Sequence, residues 1–261
     1  MTEFSQILND MIRDGDQWRC NPTEDWRQGR TLFGGLSAAL CYEACERLAP
    51  DLPPLRSAQI AYVGPSAGEA TLVPTILRQG KSVRFMACDL IADGAIATRG
   101  LFCFGGGRES AYFAEPPRAP SVPPPEDCKP LFSGHKPTFT QHLDQRLAGG
   151  HRPVTGAERG DILVWVRHLD PETSASLASL VALGDAMPPS SMARFTSPAA
   201  ISTMNWQFDM VDASRFRPDR YVLLRSTDDA VGHGYSGQAI SMWDEDGAPI
   251  LIGRQSVAVF A

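Results

Sequence analysis

Apolar residues in this chain follow a helical rhythm and then several strand-like ones, and the combination occurs twice. Small and apolar residues at Leu36, Leu40, Ala44 and Leu48 recur at helical spacing, with Pro50 and Pro53 just beyond. This spacing predicts a buried helix. Runs rich in Val, Ile, Phe and Thr follow at Gln59 to Val63, Ala70 to Arg78, Val83 to Ala92 and Ala95 to Phe104, punctuated by Gln79-Gly80 and Asp93-Gly94. They predict antiparallel strands. From Arg108 to about Gly160 the chain turns Pro-rich and irregular (PPRAPSVPPPEDCKP), and proline neither donates to a sheet ladder nor continues a helix. A surface connector, tolerant of change, is expected there.

The same order then returns. Ile162 to Val166 reads as a strand, and Asp170-Pro171-Glu172-Thr173 offers caps for a helix from about Ser174 to Ala186, stopped by Pro188-Pro189. Strands follow at Ile201 to Met210, Tyr221 to Ser226, Tyr235 to Trp243 and Ile250 to Phe260, with Asp246-Gly247 turning the last pair. One helix followed by antiparallel strands, twice, predicts a tandem α+β protein with modules at 1–115 and 155–261 and a connector at 116–154. A single mixed α+β domain is the alternative that pattern alone leaves open.

Composition narrows the function classes. The 261 residues are 43% hydrophobic and 21% charged, enough for a packed core, and the net charge of -6 argues against the extended basic face that nucleic acid requires. Nucleic acid is set aside. No apolar run approaches the roughly 20 residues of a membrane span, and MTEFSQILNDMIRDGD lacks the basic and apolar regions of a signal peptide. A soluble, cytoplasmic protein is expected. Cys20, Cys41, Cys45, Cys88, Cys103 and Cys128 form no C-x-x-C and have no His cluster beside them, so neither metal nor a disulfide framework is expected. Cys41 and Cys45, one helical turn apart, read as core thiols rather than ligands.

Candidate chemistry gathers at a few positions. Gly34-Gly35 at a helix start leaves backbone N–H groups open to developing negative charge, or simply lets the helix pack closely. Gly105-Gly106-Gly107 opens no helix and is no phosphate loop. In the second half Asp185 ends an otherwise apolar helix, Thr203 lies near the start of a strand, and Gln255 interrupts the last strand. Each has an ordinary reading as a solvated or outward residue. Together a carboxylate, a hydroxyl and an amide can hold and deprotonate one water. The run Gly64-Pro65-Ser66-Ala67-Gly68 matches G-x-S-x-G but leads into a predicted strand rather than a helix, so it forms no nucleophile elbow, and His233, between two glycines, reads as a surface turn residue. Trp165, Trp206 and Trp243 read either as the lining of an apolar channel or as core.

These landmarks resemble the acyl-CoA thioesterase II-type double-hotdog enzymes of bacteria and their peroxisomal relatives. The likeness runs through Phe33-Gly34-Gly35, VALGDAMPPS, ISTMNWQFD and DEDGAPILIGRQSVAVF. It implies a tandem hotdog fold, each module an antiparallel sheet wrapped around a central helix. It also implies acyl-CoA thioester hydrolysis and a place in fatty-acid metabolism, with coenzyme A as part of the substrate and no metal or cofactor. By motif the water-holding residues fall on Asp185, Thr203 and Gln255, and the substrate-binding helix start on Phe33, Gly34 and Gly35. Asn205-Trp206 replaces the Asp-His of many relatives and Gln59 replaces a His, which makes Asn205 and Gln59 secondary candidates. Arg56, Arg78 and Arg84 are candidate contacts for the coenzyme A phosphates, and a homo-oligomer is expected. Two other readings stay open: a non-catalytic acyl-CoA binding module, and an acyl-CoA hydratase on the same fold.

Overall fold

The computed structural model describes residues 1–134, 136–173 and 176–260. In the first half α1 (Phe4–Asn9) precedes β1 (Ile12–Asp14), β2 (Gln17–Cys20) and the two-residue strands β3 (Arg27–Gln28) and β4 (Thr31–Leu32). Then come α2 (Gly34–Leu48), β5 (Leu55–Tyr62), β6 (Ala70–Gln79), β7 (Val83–Ala92) and β8 (Ala95–Gly105). The second half holds β9 (Lys129–Pro130), β10 (Leu143–Gly150), β11 (Asp161–His168) and α3 (Leu177–Gly184). It closes with β12 (Ala200–Met210), β13 (Val222–Gly232), β14 (Tyr235–Trp243) and β15 (Pro249–Phe260).

All strands but β3 and β4 join one antiparallel sheet in the order β1-β2-β6-β7-β8-β5-β12-β15-β14-β13-β11-β10-β9. Read outward from the middle, β5-β8-β7-β6-β2-β1 is matched by β12-β15-β14-β13-β11-β10, with a helix at the same place in each half. The halves are therefore repeats related by a local two-fold axis. They meet where β5 pairs with β12, from Ser57 opposite Asp209 to Ala61 opposite Asn205, so the axis passes between Gln59 and Gln207.

The two helices lie on one face of this sheet. Helix α2 is apolar on nearly every side, with Leu36, Ala38, Ala39, Leu40, Cys41, Ala44 and Cys45 fully buried. All six cysteines are free thiols. The helix stops where Pro50 forces Ala49 out of helical geometry (φ -137, ψ 81). Helix α3 begins at Ser176, whose hydroxyl accepts the Ser179 N–H. The caps expected at 170–173 do not serve it, and the expected start at Ser174 lies outside the described residues. Asp170 instead accepts the N–H groups of Ser5 and Glu172, tying the N-terminal segment to the second module.

The expected connector is corrected in two ways. Leu143–Gly150 is a sheet strand, β10, paired with β11, so the second module begins well upstream of residue 155. No proline stands between Pro137 and Pro153, and a buried Gln145 together with Gly149-Gly150 hides the strand's alternation. Nor is the Pro-rich stretch loosely held. It lies on the outer face of the second half's sheet, where Trp243 and Trp165 donate indole N–H groups to the carbonyls of Pro117 and Pro123, each at 2.9 Å. Ala119 and Val122 pack against Leu163, Trp165, Leu223 and Trp243 there. Proline suits this strap because its carbonyl still accepts when it has no N–H to satisfy. Trp165 and Trp243 thus face away from the helices and line no interior channel.

Deleting Pro120 to Pro125 should consequently lower the thermal midpoint by exposing both indoles. Trp165→Phe and Trp243→Phe should each cost about 1 kcal/mol in chemical denaturation through loss of the hydrogen bond. Unchanged stability in all three proteins would contradict this role for the strap.

Candidate active site

The C-terminal end of α3 meets the N-terminal start of α2 at very short range, and glycine makes this possible. A Cβ on Gly34 would fall 2.6 Å from Asp185 Oδ2 and 3.1 Å from the Tyr62 ring, and one on Gly35 would fall 2.5 Å from the Ala182 carbonyl oxygen. Gly184 is under the same constraint, because a Cβ there would meet the Trp206 ring at 2.7 Å. Phe33, the residue before α2, contributes no side-chain cap. The first-turn amides of Gly34, Gly35 and Leu36 have no carbonyl one turn earlier within the helix, and that of Gly35 meets the Asp185 carboxylate. The buried Phe33 ring packs between Gly35 and Phe139, stacked on the latter at 4.0 Å, so it sets the entry of the helix.

Asp185 is the first non-helical residue after α3. The residue is partly accessible, yet its carboxylate is enclosed by protein atoms, and loss of solvent pushes its pKa up to about 7. Gln255 and the backbone N–H of Gly35 favour the charged form and offset part of that rise. Gln255, on the inner face of β15, donates its Nε2 to Asp185 Oδ1 at 2.5 Å. Its Oε1 accepts from Gln238 Nε2 at 2.8 Å, and Gln238 Oε1 accepts from the Ser190 N–H at 2.9 Å and the Ser190 hydroxyl at 3.1 Å.

Thr203 lies on the same inner face, opposite Val257. Half-buried, its hydroxyl bonds to no protein group among the described residues. Asp185 and Gln255 are thus joined directly, while Thr203 lies near them without a bond. Asn205 and Gln59 are not brought to the site. The register slips between Thr203 and Asn205, and this bulge turns Asn205 to the outer face, while Gln59 alternates outward against the inward Ala58, Ile60 and Tyr62. Arg56, Arg78 and Arg84 gather at the other end of the first-half sheet, with Arg56 donating to Gly105 O. That end is about 20 Å along β5 from Tyr62. His233 occupies an exposed turn with φ 52.

Tyr62, which sequence reasoning passed over, and Trp206, read there as channel lining or core, face this centre. Tyr62 Oη and Trp206 Nε1 are buried polar atoms with no hydrogen-bond partner among the described residues. The Asp185 charge acts on Tyr62 and, after burial, raises its pKa further. Both groups are donors at neutral pH and suit a water or ligand acceptor. Gln238 was missed too, although a polar residue at a buried position of β14 is the signal that marked Gln255. Among the described residues no group of three His, Cys, Asp or Glu is placed to hold a metal ion, and no helix is long and apolar enough to cross a membrane.

Because the Asp185 carboxyl binds its proton more tightly in the fold than at the ordinary 3.8, the native state loses stability as pH rises from about 4 through 7. Asp185→Asn removes that loss. Its thermal midpoint should exceed that of the unaltered protein at pH 8, with the gain shrinking toward pH 4, as calorimetry across pH would show.

Two family models match: that of the acyl-CoA thioesterase N-terminal domain over residues 22–105 and that of the acyl-CoA thioesterase C-terminal domain over residues 118–259. The latter takes in β10. Among solved structures, a conserved protein of unknown function with hot dog fold from Alicyclobacillus acidocaldarius shares 21% identity at TM-score 0.87, covering 99% of this chain and 98% of its own. An acyl-CoA thioesterase II of Mycobacterium marinum shares 15% at TM-score 0.78, again covering 99% and 98%. A tesB protein of Mycobacterium avium subs paratuberculosis shares 12% at TM-score 0.81 over the same fractions. These likenesses establish the tandem hotdog fold. No curated protein matches the chain in sequence.

Proposed function

The chain belongs to the acyl-CoA thioesterase family, and from that premise we propose that it hydrolyses an acyl-CoA thioester to the free acid and coenzyme A. The observation that carries the proposal is Asp185, a carboxylate enclosed at an uncapped helix start with a pKa of about 7. Ionised, it takes a proton from a water that attacks the thioester carbonyl, and as the C–S bond breaks that proton passes to the departing coenzyme A thiolate, which restores the carboxylate. Gln255 holds the carboxylate, and Thr203 supplies a hydroxyl on the same face to fix the water. The α2 amides near Gly35 and the Tyr62 hydroxyl offer donors to the carbonyl oxygen as charge develops on it. The acyl chain enters between the halves, since the helix start comes from one and the carboxylate from the other. Binding without reaction would not need an acid-base group tuned to neutrality, which disfavours a plain acyl-CoA binding module. Among the described residues the polar partners of Asp185 are Gln255 and the Gly35 amide, with no His, which disfavours a hotdog hydratase.

Thiol release from a panel of acyl-CoA esters tests this reading. Asp185→Asn should fold and bind acyl-CoA while turnover falls by about 10²–10⁴-fold, the range for loss of a general base. Thr203→Ala and Gln255→Ala should lose less singly and combine non-additively with Asp185→Asn. Hydrolysis by Asp185→Asn at the unaltered rate would sink the mechanism. Since the base form is required, kcat/KM should rise with pH to a plateau with its midpoint near 7. Tyr62→Phe, which keeps the ring over Gly34, should lower kcat while leaving the midpoint of that rise near 7.

A further inference from the structure

We propose that Gln238 is a positioning residue that fixes which end of the Gln255 amide faces Asp185 and thereby denies the protonated acid a hydrogen-bond acceptor. The inference rests on the reading of Asp185 as the base and concerns how its active form is secured. An amide side chain has nearly the same shape in either orientation, so packing does not choose between them. The choice is made at the far end of the chain of bonds. The Ser190 backbone N–H can only donate, so Gln238 must present Oε1 to it at 2.9 Å. Gln238 then presents Nε2 to Gln255 Oε1 at 2.8 Å, and Gln255 presents Nε2 to Asp185 at 2.5 Å.

Without this constraint Gln255 would follow the proton. It would offer Nε2 to the carboxylate and, flipped, Oε1 to the O–H of the acid, stabilising both forms. Held by Gln238, it serves only the carboxylate. Flipping Gln255 alone sets two amide nitrogens against each other, and flipping both sets Gln238 Nε2 against the Ser190 N–H. Either arrangement leaves donors unpaired at positions where Ser190, Gln238 and Gln255 are 0%, 1% and 5% exposed and water does not compensate.

Neighbouring charges do not offer another explanation for the direction. Across the strand pair from Gln238 stands Asp228, which is neutralised by Arg194 and bonded to the Gly160 N–H. Facing Asp185 are Tyr62 from β5, which remains protonated at these pH values, and the Gly35 amide from α2.

Gln238→Met keeps the volume and removes the bond to Gln255, freeing that amide to flip. The Asp185 carboxyl carbon, followed by ¹³C NMR and assigned by its absence in Asp185→Asn, should then titrate about one pH unit or more above its position in the unaltered protein. The low-pH limb of kcat/KM should move by the same amount. Gln238→Asn retains an amide but is one methylene too short to span Ser190 and Gln255, so it should give the same shift and serves if the Met variant does not fold. A folded variant of either kind whose Asp185 titrates where it does in the unaltered protein overturns the proposal. The carboxyl titration does not depend on hydrolysis. It is therefore separate from failure of the base assignment, which would appear as unaltered turnover in Asp185→Asn.

Discussion

Two helix ends brought closer than side chains would allow are the constraint from which the rest of the molecule follows. Gly34 and Gly35 let the start of α2 come up against the end of α3, and Gly184 lets Trp206 close the other side of that contact. The approach removes water from Asp185 and supplies in its place the amides of a helix start and the Gln255 side chain. Burial raises the cost of the charge, and those dipoles recover only part of it, so the carboxyl is left poised near neutrality. A fold optimised only for stability would not leave a carboxylate there.

The duplication has diverged in a complementary way. At the start of α3, Ser176 caps the helix with its own hydroxyl, and Leu177 and Ala178 stand where α2 has Gly34 and Gly35. At the end of α2, Ala49 takes the place that Asp185 takes after α3. One half has an open helix start and no acid after its helix, and the other has the acid and a capped helix start. Local two-fold symmetry of the backbone thus carries a single chemical centre.

What the sequence revealed depended on whether period and burial agreed. The hairpins from Ala70 to Phe104 and helix α2 were legible because their apolar rhythm matches their structure. Strand β10 was not, because Gln145 faces inward and two glycines follow. Asp185 and Gln255 stood out as polar residues at interior positions, and Gln238 carried the same mark unnoticed. Tyr62 carried none, since an aromatic residue at a strand end looks like core whether or not its hydroxyl has a partner. Asn205 was misplaced for a geometric reason. Counting by twos from Thr203 puts it on the inner face, and one extra residue at the bulge reverses that parity and brings Trp206 inward instead.

The seam between the halves has a further consequence. Its pairs are symmetric about Gln59 and Gln207, so β5 is shaped to meet not only β12 but also an identical copy of itself in an antiparallel pair. A pairing of like with like would join two open helix starts or two acids, and neither would complete the centre. The Pro-rich strap, anchored by two indoles across the outer face, keeps the unlike partner tethered at high effective concentration. The covalent link thus favours the assembly in which an open helix start meets an acid.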